Sequence, residues 1–376
     1  MHLLHDREQL AHRVASLIEH QTTEAAPAVA HLRGDRYTDP ARFDAEIRAI
    51  FGHGYWVGSS ARIAEKEVYA RLRSLDGDRL ATRDEFGNCH LHVNACAHRG
   101  AQLTADDCGA ARRLTCPYHG WSYHADGRLA GRPDGEYFEN DDAASTRLRS
   151  QPLVECSGLL GVAGAQGDAN LTIDAALDEE LRASGVDRMV AERFSYDEHP
   201  ANWKVPIDTF LENYHTRVLH RHSIAGLFIT NIAAFDAFGN SCRVILPKRD
   251  FIEGAVDGGR PIVEYATVLY FVYPNTMIAL LPGHAAVWNI VPLTAGTIGL
   301  QHAILTEPRE NVSEAAQDMW AASLSVIDSV VSEDISGALG VQAGLTHAGA
   351  DFELHIGRCE PALQFVHAVF DRQLGA

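Results

Sequence analysis

The chain is short of positive charge, of membrane-spanning material and of nucleotide-binding glycine motifs. Against 50 Asp and Glu it carries 32 Lys and Arg, for a formal net charge of -18. That balance excludes nucleic acid and anionic membrane as partners, because both demand a basic face. No stretch of about 18 consecutive apolar residues occurs, so no transmembrane helix is expected. The first residues lack the pattern of a secretory leader, and a cytoplasmic location is expected. Gly-x-Gly-x-x-Gly is absent, so a nicotinamide or flavin would have to belong to another protein. Cysteine is sparse as well: of seven, Cys89, Cys108, Cys156, Cys242 and Cys359 stand singly, an odd set that suits reduced thiols better than a disulfide framework.

What the chain does have is a paired Cys/His pattern. Cys96-x-His98 is followed, 17 residues later, by Cys116-x-x-His119. Two thiolates and two imidazoles in this order suit a 2Fe-2S centre with the cysteines on one iron and the histidines on the other. Structural zinc also takes Cys2His2, but zinc-finger spacings group the two cysteines and the two histidines separately, whereas here each loop supplies one of each. The full loops, Cys96-Ala97-His98-Arg99-Gly100 and Cys116-Pro117-Tyr118-His119-Gly120-Trp121-Ser122-Tyr123, resemble the cluster-binding loops of Rieske proteins.

About a hundred residues later comes Glu212-Asn213-Tyr214-His215-Thr216-Arg217-Val218-Leu219-His220. Two imidazoles and one carboxylate on one face of ferrous iron leave open positions for O2 or substrate. A spacing of five turns about 140° on an ideal helix, so His215 and His220 converge only where the helix ends or bends between them. The segment resembles the mononuclear iron motif of the Rieske non-heme iron oxygenases, the aromatic ring-hydroxylating alpha subunits. That resemblance implies a third ligand downstream, in Glu333-Asp334-Ile335 with Val341-Gln342-Ala343-Gly344-Leu345 after it, and Asp334 is the expected residue, with Glu333, Asp328 and Asp351 as competitors. It also implies that Glu212 carries electrons between subunits, linking the Rieske His119 of one to His215 of the next. Glu in place of the commoner Asp resembles the branch of the family that acts on quaternary amines.

Periodicity gives the organisation. Leu10, Val14, Leu17 and Ile18 mark an amphipathic helix over 6–20, and 21–36 reads as a polar linker. Asp39 and Pro40 read as N-cap and first turn of a helix with Phe43, Ile47, Ile50 and Phe51 buried. Hairpin signals at Asp76-Gly77, Gly87-Asn88 and Asp126-Gly127 predict a small antiparallel β domain that contains both Cys/His loops. A helix over 173–184 ends at Gly185. Strands are expected over 243–247 and through 262–308, broken at Pro274-Asn275 and Pro282-Gly283. Ser313 reads as the cap of a long helix carrying Asp334, and Glu360-Pro361 opens a last helix with Leu363, Val366 and Phe370 on one face. The expected fold class is α+β: an N-terminal helix and linker over 1–39 packing on the catalytic domain, a Rieske β domain over 40–168, and a catalytic domain over 169–376, which the resemblance makes a helix-grip (START-like) fold.

The resemblance implies the terminal oxygenase component of a multi-protein system. Its cofactors would be a 2Fe-2S Rieske cluster and a mononuclear Fe(II), its cosubstrate O2, and its electrons would come from NAD(P)H through a partner reductase, with a ferredoxin as a further carrier. A head-to-tail homotrimer is implied, which some members of the family extend with a small beta subunit. Hydroxylation of an aromatic or hydrophobic small molecule is the first reading, and hydroxylation or demethylation of a methylated amine the second; a pure electron-transfer protein is the reading from outside the class. Leu219, Ile224, Leu227, Phe228, Phe235, Tyr270, Val272, Met277 and Trp288 are the candidate pocket lining. Tyr265, Tyr270, Tyr273 and Trp288 could instead build a cation cage.

Overall fold

The computed structural model describes residues 7–139, 142, 144–164, 171–251, 261–308 and 313–375. The junction expected at 168/169 and the helix start at Asp6 lie outside the described residues. The large sheet is antiparallel and seven-stranded, in the order Val190–His199, Thr297–Thr306, His284–Thr294, Thr276–Leu281, Ala266–Val272, Ser241–Pro247, Ala234–Phe238. Its strands are rich in β-branched and aromatic residues, which pack well on a pleated surface. The breaks at Pro274-Asn275 and Pro282-Gly283 fall between its strands, and the helix Glu314–Ala348 begins directly after Ser313. The last helix, Pro361–Leu374, buries Leu363, Val366 and Phe370 on one side, each contributing about 1.5–3 kcal/mol of burial. Sheet and helices together form the α+β catalytic body.

Three smaller antiparallel sheets carry the Cys/His loops. The largest orders Ser150–Gln151, Cys89–Val93, Gly77–Arg83, Val68–Ser74 and Cys108–Ala110; the others pair Gly54–Ser59 with Leu159–Ala163 and Leu114–Thr115 with Ser122–Tyr123. Asp76-Gly77 and Asp126-Gly127 are hairpin turns between paired strands.

The stretch 21–36, expected as a linker, is more than that. Ala30–Arg33 pairs in antiparallel fashion with Glu353–Ile356, so the early chain is stitched to a segment near its far end. The four-residue strand lacks a long alternating pattern and takes its partner from more than 300 residues away, which local sequence cannot signal. The helix Pro40–Ala49 has the expected cap: Asp39 accepts a hydrogen bond from the Ala41 amide at 2.9 Å. Its Glu46 is fully buried and accepts from Trp203 Nε1 at 2.8 Å and from Lys204 Nζ at 2.6 Å. Burial pulls Lys204 down to about 8 against the attraction of Glu46. Removing either partner of such a pair costs about 3–5 kcal/mol, since the other charge stays buried.

Two buried amides join the small sheets to the large one. Asn275 accepts from the Trp56 amide at 3.0 Å and donates to the Trp56 carbonyl at 2.9 Å, as a neighbouring strand would. Gln301 accepts from the Arg73 amide at 3.0 Å and donates to the Val57 carbonyl at 2.9 Å.

Candidate metal centres

The two Cys/His loops fold in the same way. In each, the cysteine carbonyl accepts from the glycine amide four residues on: Gly100 to Cys96 at 2.8 Å and Gly120 to Cys116 at 3.0 Å. Each cysteine amide donates to the carbonyl one residue further, Ala101 or Trp121, at 2.8 Å. Closing this turn puts the glycine at positive φ, +75° for Gly100 and +72° for Gly120, where a side chain would be strained. Cys96 and Cys116 are buried, and the rings of His98 and His119 face each other at 4.8 Å between centroids.

His98 lies flat on Trp121, 4.8 Å between centroids and 5° between planes, and Phe138 meets both rings edge-on. Its Nδ1 is buried without a hydrogen-bond partner. The Tyr123 hydroxyl oxygen accepts from the Ala97 amide at 3.2 Å, so its hydrogen is free for Cys96 Sγ at 3.0 Å. Burial pushes the Cys96 thiol up, and the Tyr123 hydrogen bond works against it. Among the described residues, none of these four donors belongs to a group of three within 4.8 Å of one another, as a single tetrahedral ion would need. An unpaired buried Nδ1, two buried sulfurs and four donors too spread for one ion fit a binuclear cluster.

In the catalytic body His215, His220 and Asp334 do form such a group. Only one helical turn, Thr216–Leu219, separates the two histidines, which lie at its caps, and this short turn lets residues five apart converge. Gly337 admits that turn: a Cβ there would come within 3.3 Å of Leu219 Cδ2. His215 Nε2 is 3.2 Å from His220 Nε2, and Asp334 Oδ1 is 2.9 Å from His220 Nε2 and 3.4 Å from His215 Nε2. The other ring nitrogens are braced. His215 Nδ1 donates to Glu212, and His220 Nδ1 donates to Glu333 Oε2 at 2.6 Å. With the Nδ1 hydrogens so used, both Nε2 lone pairs point at one spot alongside Asp334 Oδ1, a buried oxygen with no aligned hydrogen bond. Such a set requires positive charge at its centre. Burial would lower the His215 pKa, yet the nearby carboxylates of Asp334 and Glu212 hold it up at about 9, and His220 is raised by Asp334 and Glu333 in the same manner. Donor types, count and convergence fit a divalent ion.

Of the competitors for the carboxylate position, Glu333 orients His220, Asp328 pairs with Arg193 at 2.7 Å, and Asp351 lies at an exposed turn. The bracing role of Glu333 escaped the sequence reading, although its place beside Asp334 was the available signal. A second group of three donors, His31, Glu353 and His355, is exposed on the two-stranded sheet.

A cavity of about 420 Å³ opens from the His215, His220 and Asp334 cluster. The long helix lines it with Ser323, Val326, Ile327, Val330, Val331 and Asp334, spaced by three and four and therefore on one face. Ile224, Leu227, Phe228 and Trp288 of the expected lining are there. Leu219, Phe235, Tyr270, Val272 and Met277 are not. Alternation explains two of these: Thr267 and Leu269 face the cavity, so Tyr270 and Val272 on the same strand take the opposite face and pack in the second core. Tyr270 donates its hydroxyl hydrogen to Glu180 there. Met277 is fully buried in the main core, Phe235 packs on Phe365, and Leu219 lies by Gly337. No cation cage forms from the expected four aromatics, because Trp288 alone of them lines the cavity; Phe210 stacks on it at 5.1 Å. Lys248, Ser323 and Leu246 also line it, and the sequence reading missed all three.

Residues 187–376 match the family model "Ring hydroxylating alpha subunit (catalytic domain)", and residues 53–140 match "Rieske [2Fe-2S] domain". The glycine betaine monooxygenase oxygenase subunit of Chromohalobacter salexigens is 34% identical over 190 residues, covering 49% of this chain and 42% of that protein. The anthranilate 1,2-dioxygenase large subunit of Acinetobacter baylyi is 28% identical over 204 residues, covering 51% and 42%. The chain thus spans about half the length of these curated relatives. Among solved structures, the quaternary ammonium Rieske monooxygenase CntA superposes with a TM-score of 0.76 at 21% identity, covering 94% of this chain and 100% of that one. Naphthalene 1,2-dioxygenase from Rhodococcus sp. gives 0.73 at 19% identity, covering 99% and 98%. At these identities the likeness shows the fold. Among the described residues no helix is long and apolar enough to cross a membrane.

Proposed function

Because the chain belongs to the ring-hydroxylating oxygenase alpha subunits, its catalytic half matching that family's model over residues 187–376, we propose that it is the oxygenase component that hydroxylates an aromatic or hydrophobic small molecule. The observation that carries this reading is the meeting of His215 Nε2, His220 Nε2 and Asp334 Oδ1 at a mostly apolar cavity, in a chain that also holds the paired Cys/His loops. Cys96 and Cys116 would hold one iron of the cluster and His98 and His119 the other, while His215, His220 and Asp334 would hold the mononuclear iron. When bound, the cluster supplies single electrons and the mononuclear iron a site for O2 reduction.

The protein's own contribution is orientation and exclusion of water. Glu212 and Glu333 fix both imidazoles in the tautomer that leaves Nε2 free and raise their basicity. Phe210, Trp288 and the valine-rich helix face keep water from the reacting carbon. In net terms a C–H bond, O2, two electrons and two protons give a hydroxyl group and water; cis-dihydroxylation places both oxygen atoms on the substrate for the same electrons and protons. The electrons come from NAD(P)H through a separate reductase, with a ferredoxin where the system uses one.

Subunit order follows from the relay. Glu212 is a tenth exposed and lies beside the exposed Tyr214 and Val218, so the partner subunit's His119 could reach it in a head-to-tail trimer. Such a ring is a closed heterologous assembly. The name of the glycine betaine relative, together with Glu at position 212, supports methylated amines as the second reading. A product screen with a surrogate reductase, NADH and O2, run on aromatic acids, neutral arenes and methylated amines, tests the proposal. Absence of O2-dependent product from every class, in protein holding about three irons per chain, would overturn it.

A further inference from the structure

The cavity has a second polar pole, far from the metal-ligand cluster. Lys248 lines it and donates from Nζ to the Val263 carbonyl at 3.2 Å and the Glu264 carbonyl at 3.1 Å. Among the described residues these two carbonyls are its only hydrogen-bond partners, against three ammonium hydrogens. Among the described residues no carboxylate lies within ion-pair distance of Nζ; Asp250 and Glu264 act on it only from further away.

A hydroxyl of fixed direction also lines the cavity. His284 Nδ1 must donate to the Pro282 carbonyl, 2.9 Å away, so Nε2 is an acceptor and Ser323 donates to it at 3.2 Å. Pro247 pairs with Ala266, Val268 with Leu280 and Leu281 with His284, so Lys248 and His284 lie at the same end of the sheet, and burial, then the Lys248 charge, lowers the His284 pKa. Ser323 and Asp334 share one face of the long helix, eleven residues or roughly 16 Å apart along its axis. Between them the helix shows only Val326, Ile327, Val330 and Val331 to the cavity.

We propose that Lys248 is the anion anchor of the substrate site, and that the substrate is an apolar monocarboxylic acid long enough to hold its carboxylate there while its far end reaches His215, His220 and Asp334. A charge-assisted bond from a half-buried ammonium is worth enough to choose acid over amide. Allowing for the side chains at each pole, carboxylate and reacting carbon stand on the order of 10 Å apart, so a phenylalkanoate fits and benzoate is too short. This specificity assignment rests on the oxygenase reading for the identity of the reacting end.

The test is calorimetric binding to the iron-loaded chain, which needs no turnover, with 4-phenylbutanoate, 4-phenylbutanamide, benzoate and glycine betaine as probes. The acid should bind roughly tenfold or more tightly than its amide. Lys248→Met should bring that ratio close to one, and Lys248→Arg, which keeps the charge, should preserve most of it; both are judged only in protein with the native cluster spectrum. Equal binding of acid and amide by the unaltered protein overturns the anchor, as does a ratio that survives Lys248→Met. Glycine betaine binding above 4-phenylbutanoate overturns the apolar body of the proposed substrate. Loss of the oxygenase reading has a different signature: no mononuclear iron and no product, with the acid-to-amide ratio unaffected.

Discussion

The chain contains two pairs of histidines that we propose as iron ligands, and they are prepared in opposite ways. In the β loops His98 is held by ring contacts, flat on Trp121 and edge-on to Phe138, and it leaves Nδ1 bare. Its pKa is lowered by burial, then by His119 and Arg99. In the catalytic body His215 and His220 are held by carboxylates on Nδ1, leave Nε2 bare, and have raised pKa values. The first arrangement suits a centre that changes charge without changing ligands. The second adds electron density to ligands of a site that must accept a changing set of small molecules. Among the described residues of one chain, a carboxylate braces each histidine of the catalytic pair and none hydrogen-bonds His98 or His119.

The largest expected effects separate the two pairs outright. Cys96→Ala or His119→Ala should abolish the visible cluster spectrum, whereas His215→Ala or Asp334→Ala should keep it and lose product and about one iron per chain. Metal analysis with electron paramagnetic resonance checks both halves; an Asp334→Ala protein with full metal and turnover would move the third ligand elsewhere. Glu212→Gln comes next. It keeps length and an acceptor but removes charge, and turnover should fall by about two orders of magnitude with cluster and iron retained. Mixed rings of Glu212→Gln and His119→Ala subunits should regain part of the activity, since one kind of junction then has a sound cluster and a sound bridge. Zero activity in rings shown to have formed would disprove transfer between subunits.

Glu333→Gln should act on metal affinity, weakening Fe(II) binding by about 10- to 100-fold in a competition titration, because His220 loses its charged acceptor. The smallest effect belongs to Tyr123→Phe. It should leave the cluster intact and lower its reduction potential by some tens of millivolts, measured by protein-film voltammetry, as a hydrogen bond to Cys96 sulfur favours the reduced, more negative state. A potential that does not move would mean the Tyr123 hydroxyl points elsewhere.

Much of this was legible in sequence where the determinant is local. The loops that close on Gly100 and Gly120 are short and declare their donors within a few residues, and Asp39-Pro40 announces its helix start. His215 and His220 could be named, with the condition that the helix end or bend between them, and the helix Thr216–Leu219 ends at His220. The pocket was less legible because its lining depends on strand phase: one residue separates Leu269, which faces the cavity, from Tyr270, which does not. Lys248 was missed for another reason. It follows a strand, in no motif, and its meaning comes from the cavity that tertiary packing closes over it. The strand Ala30–Arg33 was missed because its partner lies at the other end of the sequence.

The seam made by Asn275 and Gln301 bears on how an electron finds its way. A joint of greased apolar surfaces can slip by small steps at little cost, but side-chain amides that mimic a strand have a register, and sliding one residue leaves donors and acceptors stranded. Trp56, Val57 and Arg73 are therefore keyed to the large sheet like teeth in a rack. The Cys/His loops ride on a mount that does not drift, and in the proposed ring the gap to another subunit's iron would be a matter of how the subunits assemble.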